Sequence, residues 1–371
     1  MTATAESGFL VIADISGYTA YLTRSEIEHA PTIAGDLLET VVGRLEPPFR
    51  LAKLEGDACF LYAEDGRAER SLLLDAIEAA YLAFRRRLRS IETATTCTCQ
   101  ACDLAPRLDL KIFVHHGTYV LTRIAGRDEL AGSDVIVVHR LLKGTSSAAS
   151  GSRAFAAFTA AAAAALGLDA DELGLVRSGE AIEHIGQVDT FVLDLDRRWQ
   201  DETAQRRLDF GDGVVLDISV SVPADPAEVW SYLTSPELRP RWEGPIVLSE
   251  TPIGGRRGVG TTTQCITGRL ATLEEIVDWQ PFDHVGYRLA VPGVGPVEAT
   301  IDLQAARGGT TDVRLRWGLP AAADTALARP VDRTLLDRLR HEKSDAYARL
   351  AALFSGGADP SGISTQREVE A

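Results

Sequence analysis

GFLVIADISGYT, residues 8–19, decides how the first half of the chain folds. Gly8–Ile15 is a near-continuous apolar run of strand length, and it closes on an acidic residue, Asp14, and on Ser16-Gly17. Working outward, Thr32–Leu45 carries helical periodicity and stops at Pro47-Pro48. Phe49–Ala63 reads as two strands joined by a tight turn at Glu55-Gly56-Asp57. Glu69–Ile91 is a long helix with an Arg-rich face. Leu108–His115 is a further strand, with Thr118–Ile124 as its expected hairpin partner. Val135–Lys143 and Arg153–Leu166 read as helices, and Asp189–Leu195 as a last strand. The order βαββαβ predicts a ferredoxin-like α+β layer, an antiparallel sheet with helices on one face.

In such a sheet the first strand lies beside the central hairpin. Asp14 at its end and Asp57 at the hairpin tip are then expected to converge. Two neighbouring carboxylates repel, which favours a divalent cation between them. Carboxylates together with substrate phosphates suit Mg²⁺, and a metal pair so held activates a hydroxyl and stabilises a leaving pyrophosphate. The alternative is two solvated turn aspartates.

Four pieces carry a family resemblance: Asp14-Ile15-Ser16-Gly17-Tyr18-Thr19, Lys53-Leu54-Glu55-Gly56-Asp57, His115-His116-Gly117, and Gly132 to Leu141. In order and local spacing they resemble the class III nucleotidyl cyclases over about residues 8–145. The resemblance implies metal-binding roles for Asp14 and Asp57, with Mg²⁺ or Mn²⁺ as cofactor. It implies that Lys53 and Glu129 read the purine base. Only four of the 38 basic residues are lysine, which makes Lys53 informative. Arg140 matches the residue that stabilises the transferring phosphate. Ile136 stands where the family has the Asn that orients the ribose. The implied reaction cyclises a nucleoside triphosphate to the 3′,5′-cyclic nucleotide and releases pyrophosphate. The implied assembly is a homodimer. The same pieces are similar to a bacterial group of uncharacterised domains that forms a divergent branch of the cyclase fold, and fold alone does not imply activity.

Cys97, Cys99 and Cys102 lie within six residues, between a long helix and a strand. Three close thiolates suit a soft metal, Zn²⁺ first. Cys59, His115, His116 and Asp103 are candidates for a fourth ligand. The alternative is a reduced loop or a Cys99–Cys102 redox pair.

Residues 196–211 are charged, with little apolar pattern, and read as a linker. Beyond them, Val220 to Trp230 resembles the opening of the START-like helix-grip (SRPBCC, polyketide cyclase-like) superfamily. Trp242-Glu243-Gly244-Pro245, Asp278-Trp279-Gln280-Pro281 and a long final helix, Pro330–Phe354, agree with that resemblance. It implies a curved sheet gripping a helix around a cavity for a small hydrophobic molecule. Trp230, Trp242, Trp279 and Trp317 are expected to line the cavity. His284, Tyr287, Arg288 and Glu298 are candidates for polar groups inside it.

The expected division is thus a cyclase-like domain at 1–195, a linker at 196–211, a helix-grip domain at 212–355 and a disordered tail at 356–371. The net charge of −15 argues against a general nucleic-acid or anionic-membrane binder. There is no signal-peptide pattern and no membrane-length apolar run, so a cytoplasmic location is expected. Three functions compete. One is a purine nucleotidyl cyclase tuned by a hydrophobic ligand. Another is a catalytically inactive sensor of nucleotide and apolar ligand. The last is a polyketide cyclase-type enzyme with an N-terminal dimerisation domain.

Overall fold

The computed structural model describes residues 4–26, 28–94, 97, 99–144, 151–204, 208, 210, 213–267, 270–291, 295–318 and 333–355. The expected tail lies outside these residues. The chain divides into two units. The first comprises Met1–Arg206 with Pro252–Arg257, and the second comprises Arg207–Thr251 with Gly258–Ala371.

In the first unit, β1 (Ala5–Ser16) pairs antiparallel with both β3 (Ala58–Glu64) and β4 (Asp109–Ile124), and β2 (Arg50–Glu55) pairs with β3. The order β2-β3-β1-β4 is the ferredoxin-like one. It is extended beyond β4 by β6 (Phe155–Thr159), β8 (Gly186–Asp194) and β7 (Val176–Ile182).

Successive residues of β1 from Gly8 to Ala13 are all buried, so both sheet faces are covered. On one face, α5 (Ser133–Leu142) places Val137, Val138 and Leu141 against Leu10, Ile12 and Phe60. On the other, the alternate set Phe9, Val11, Ala13 and Ile15 is equally buried. There α2 (Ala30–Leu45) and α3 (Arg70–Ala94) pack on each other and on β3 and β4. The expectation of helices on a single face is therefore corrected.

Two strands differ from expectation. Thr118–Ile124 is not a hairpin partner but the continuation of β4. His115-His116-Gly117 reads as a strand end, yet Gly117 is extended and pairs with Gly8. Its lack of a side chain serves close approach: a Cβ there would lie 2.5 Å from the Asp134 carboxyl carbon. Asp134 uses that space to accept hydrogen bonds from the Thr118 amide (2.7 Å) and hydroxyl (3.1 Å). The chain turns later, at Ala125-Gly126, where φ is 51° and 81°. It returns as β5 (Arg127–Ala131). Gly117→Ala is expected to destabilise the first unit by about 1–3 kcal/mol, because Asp134 must leave its bonds. Urea unfolding checks this.

Phe155–Thr159, expected to be helical, is instead a fully buried strand parallel to β4. The helix begins after it, as α6 (Ala160–Leu166), with the Thr159 hydroxyl accepting from the Ala162 amide. Residues 196–204, expected in the linker, belong to α7 (Leu195–Ala204), which packs on α3; Leu195, expected to end the last strand, begins that helix.

The second unit is a seven-stranded antiparallel sheet in the order β10-β11-β12-β13-β14-β15-β9. The strands are β9 (Val214–Val222), β10 (Val247–Thr251), β11 (Thr262–Thr267), β12 (Leu270–Gln280), β13 (His284–Val291), β14 (Gly295–Ala306) and β15 (Thr310–Gly318). Between β9 and β10 come two short helices, α8 (Pro226–Thr234) and α9 (Pro240–Glu243). The long α10 (Arg333–Phe354) packs along β9 and α9. The protein is an α+β chain with two sheets.

Candidate functional site

The first site is at the end of β1. Asp14 is cross-strand from Ala58 on one side and from Lys111 on the other. The backbone carbonyl of Asp57 accepts a 3.0 Å hydrogen bond from the Ile15 amide, which holds the β2–β3 turn against β1. The two aspartates are electrostatic neighbours. Burial, and then the Asp57 charge, push the Asp14 carboxyl up to about 6, while the Lys111 ammonium opposes the shift. Burial raises Asp57 as well. Two partly desolvated carboxylates that disfavour each other's charge are a donor set suited to a hard divalent cation.

Lys53 reaches the same sheet face through an irregularity. Leu51 pairs with Leu61, but Lys53 pairs with Phe60, so Ala52 is an extra residue in β2. This bulge turns Lys53 from the Leu61 face to the Phe60 face, which is also the face of Asp14 and Ala58. Its ammonium lies 3.0 Å from Glu55, 3.6 Å from Glu129 and 6.0 Å from the Phe60 ring centre. The two residues for which the resemblance implies base reading, Lys53 and Glu129, thus lie 3.6 Å apart. Glu55 also receives His139 Nε2 at 3.1 Å, and the His139 ring stands edge-on to Phe60. Burial alone would raise Glu55, but Lys53 and His139 together hold it below its usual value.

Arg140 is not brought to the aspartates by any contact among the described residues. It is exposed on α5, one turn after Ile136, which is 53% exposed. At a spacing of four they share one helix face.

A second group lies in the segments around α2 and after α3. His29, Cys97, Cys99 and Cys102 place one ligand atom each within 4.8 Å of one another, an arrangement that can hold a metal ion. The fourth member is His29 and none of the candidates the sequence suggested. Cys59 is buried against the Ala13 carbonyl. His115 is bonded to Thr159 and Asp134, and His116 to Asp65. Cys99 is held down to about 6, first by the Cys102 amide and then by His29.

In the second unit a cavity of about 230 Å³ lies between the sheet and α10. Trp242, Trp317 and Tyr287 line it. Trp230 and Trp279 do not. They stand edge-on to each other at 4.7 Å, with Phe282 beside Trp230, as core. His284 is buried between Asp278 and Asp302, away from the cavity lining. Arg288 lies on the outside, bonded to Glu275, with Glu298 4.0 Å away.

The cavity's polar feature is a quartet that sequence reading missed. Arg239 donates to both oxygens of Glu274 (2.7 and 3.1 Å) and to Glu243 (2.6 Å). Lys343 donates to the other Glu243 oxygen at 3.1 Å. Burial would lower Arg239, yet Glu243 and Glu274 hold it well above its ordinary value.

Residues 214–352 match the polyketide cyclase / dehydrase and lipid transport family. Residues 34–149 match a family described as protein of unknown function (DUF2652). The uncharacterized protein Rv2561/Rv2562 of Mycobacterium tuberculosis (strain ATCC 25618 / H37Rv) is 37% identical over 107 residues. That stretch is 29% of this chain and spans half the length of the relative. Among solved structures, the adenylyl cyclase CyaB from P. aeruginosa is 13% identical with a TM-score of 0.39, covering 56% of this chain and 100% of the other. DynU16, a putative protein in the dynemicin biosynthetic locus, is 22% identical with a TM-score of 0.31, covering 39% of this chain and 48% of the other.

No helix among the described residues is long and apolar enough to cross a membrane.

Two residues of this corner escaped sequence reading. Lys111 is placed beside Asp14 only by the β1–β4 register. His139 reads as an ordinary helix residue until Glu55 faces it across the bulged strand.

Proposed function

We propose that the first unit is a divergent purine nucleotidyl cyclase acting as a cytoplasmic homodimer. We propose further that its output is tuned by a small hydrophobic molecule in the second unit's cavity. The observation that carries the reading is the juxtaposition of Asp14 and Asp57, with Lys53 on the sheet face of Asp14 and its ammonium 3.6 Å from Glu129. Asp14 and Asp57 would hold Mg²⁺ or Mn²⁺, which when bound supplies charge neutralisation for the triphosphate and lowers the pKa of the attacking hydroxyl. Lys53 donates to an acceptor on the purine, and Glu129 accepts from it. Lys111 offsets negative charge beside Asp14. Arg140, exposed with Ile136 on α5, is positioned to meet a triphosphate held mainly by a second copy. Ile136 offers no hydrogen bond to a ribose, and one such bond is worth about 1–3 kcal/mol, or roughly 10–100-fold in rate. A slow enzyme is therefore expected.

Ile136 is also the residue that favours a second reading, in which the unit binds nucleotide without turning it over. One assay separates them. The full chain is incubated with each of the four ribonucleoside triphosphates and Mn²⁺ or Mg²⁺, and cyclic nucleotide and pyrophosphate are quantified. Purine-selective product is expected, and Lys53→Ala should flatten the preference. No product from any triphosphate, with purine nucleotide still bound, would leave the sensor reading standing and the cyclase reading refuted.

A further inference from the structure

We propose that His29, Cys97, Cys99 and Cys102 form a closed Cys₃His zinc site. It would fasten the loop between α1 (Tyr18–Arg24) and α2 to the segment that follows α3. His29 Nδ1 lies 3.2 Å from Cys99 Sγ and 3.8 Å from Cys97 Sγ. In a tetrahedral site with the usual Zn–S and Zn–N bonds, ligand atoms are separated by about 3.8 Å for sulfur pairs and about 3.6 Å for sulfur–nitrogen pairs. Four donor atoms within 4.8 Å of one another therefore need little movement to close on one ion. A disulfide would use two of the sulfurs and leave the third thiol and the imidazole without a purpose. None of the five cysteines is in a disulfide.

The surroundings fit a structural ion. Cys99 occupies the N-cap of α4 (Gln100–Leu104), and its sulfur accepts from the Cys102 amide at 3.4 Å. Such a bond orients a thiolate ligand. The Glu26 carboxylate accepts from the amides of Gln100 (3.1 Å) and Ala101 (3.0 Å), which places the two loops edge to edge. A five-residue helix gains almost nothing from helix propagation, and α4 buries only Ala101 of its own residues. Its position therefore calls for an anchor that the apolar core does not provide. Four protein ligands leave no open position, which marks a structural rather than a catalytic metal. Because α4 packs on α1, and α1 begins directly after the Asp14 strand, the ion would buttress the segment leading out of the carboxylate corner.

The test is metal stoichiometry by native mass spectrometry of the full chain, purified under reduction and supplied with zinc, together with the visible spectrum of the cobalt-substituted protein. One zinc per chain is expected, with cobalt bands of a tetrahedral site and thiolate charge transfer. Cys99→Ser should lose the metal. His29→Ala, which leaves the thiols and the core untouched, should weaken binding and change the cobalt spectrum while the far-UV circular dichroism stays unchanged. A reduced, zinc-supplied protein that holds no metal would overturn the proposal. So would a mass two hydrogens lighter from a Cys99–Cys102 disulfide, or a cobalt spectrum indifferent to His29→Ala.

Discussion

On the proposed cyclase reading, Asp14→Asn is expected to lower cyclic nucleotide formation by about 1000-fold or more and, in the same protein, to raise the stability of the metal-free fold. The first effect follows from charge. In the proposed role, a ligand to the catalytic metals would contribute several kcal/mol of transition-state stabilisation, and about 4 kcal/mol is roughly a thousandfold in rate. The second follows from the position of the Asp14 carboxyl, which burial and Asp57 raise from 3.8 to about 6. A carboxyl whose folded value lies above its unfolded value costs stability wherever it is ionised, so the cost is absent at low pH and grows as pH rises past 3.8 toward 6 and beyond. Discounted for partial exposure, the gain on removing it is about 1–2 kcal/mol near neutral pH. Product assays and chemical unfolding at pH 7.5, run on one preparation, read both effects. A structural aspartate would lose activity and stability together; opposite signs identify a group kept for its chemistry at the expense of the fold.

The same corner shows what a sequence can convey about a site. Asp14 was legible because it ends an apolar run, and Asp57 because Gly56 marks a turn. Lys53 stood out by its type. Its orientation was not legible, because strict alternation along β2 puts it on the wrong face, and only the extra residue at Ala52 corrects this. A bulge leaves no mark in a hydrophobic pattern. The thiols were legible for the opposite reason, being close in sequence. Their partner His29 is 70 residues from Cys99, and only the packing of α4 on α1 brings it there. In the second unit, strand spacing followed the alternation closely, since a sheet with one solvated face writes its pattern into every strand. The inserted β6 did not, because a strand covered on both faces has no alternation, and its neighbouring alanines favour helix.

The largest expected effect on stability lies in the cavity of the second unit. Arg239→Met should destabilise that unit by about 3–5 kcal/mol, because it leaves the carboxylate of Glu274 buried without the guanidinium that compensates it. The side chain of Arg239 is nearly inaccessible, as is that of Glu243, so water cannot substitute for the lost donors. Glu243 keeps Lys343 and is less affected. Removing the charge on both sides is a different matter. In the double variant Arg239→Met, Glu274→Leu, the remaining Lys343–Glu243 pair is still balanced, and apolar side chains fill the volume. Most of the loss should be recovered, since buried ion pairs exchange for apolar packing at little net cost. Urea unfolding followed by tryptophan fluorescence distinguishes the cases, with Trp242 and Trp317 reporting from the cavity wall. The double variant also separates stability from recognition. The quartet carries two positive and two negative groups, so it stabilises no net charge in the cavity, but it offers donors and acceptors to a ligand's polar end. If the double variant is as stable as the parent yet no longer retains an amphipathic probe such as a fluorescent fatty acid, the quartet serves the ligand. If it retains the probe unchanged, the cavity selects on apolar shape alone and the four charges belong to the fold.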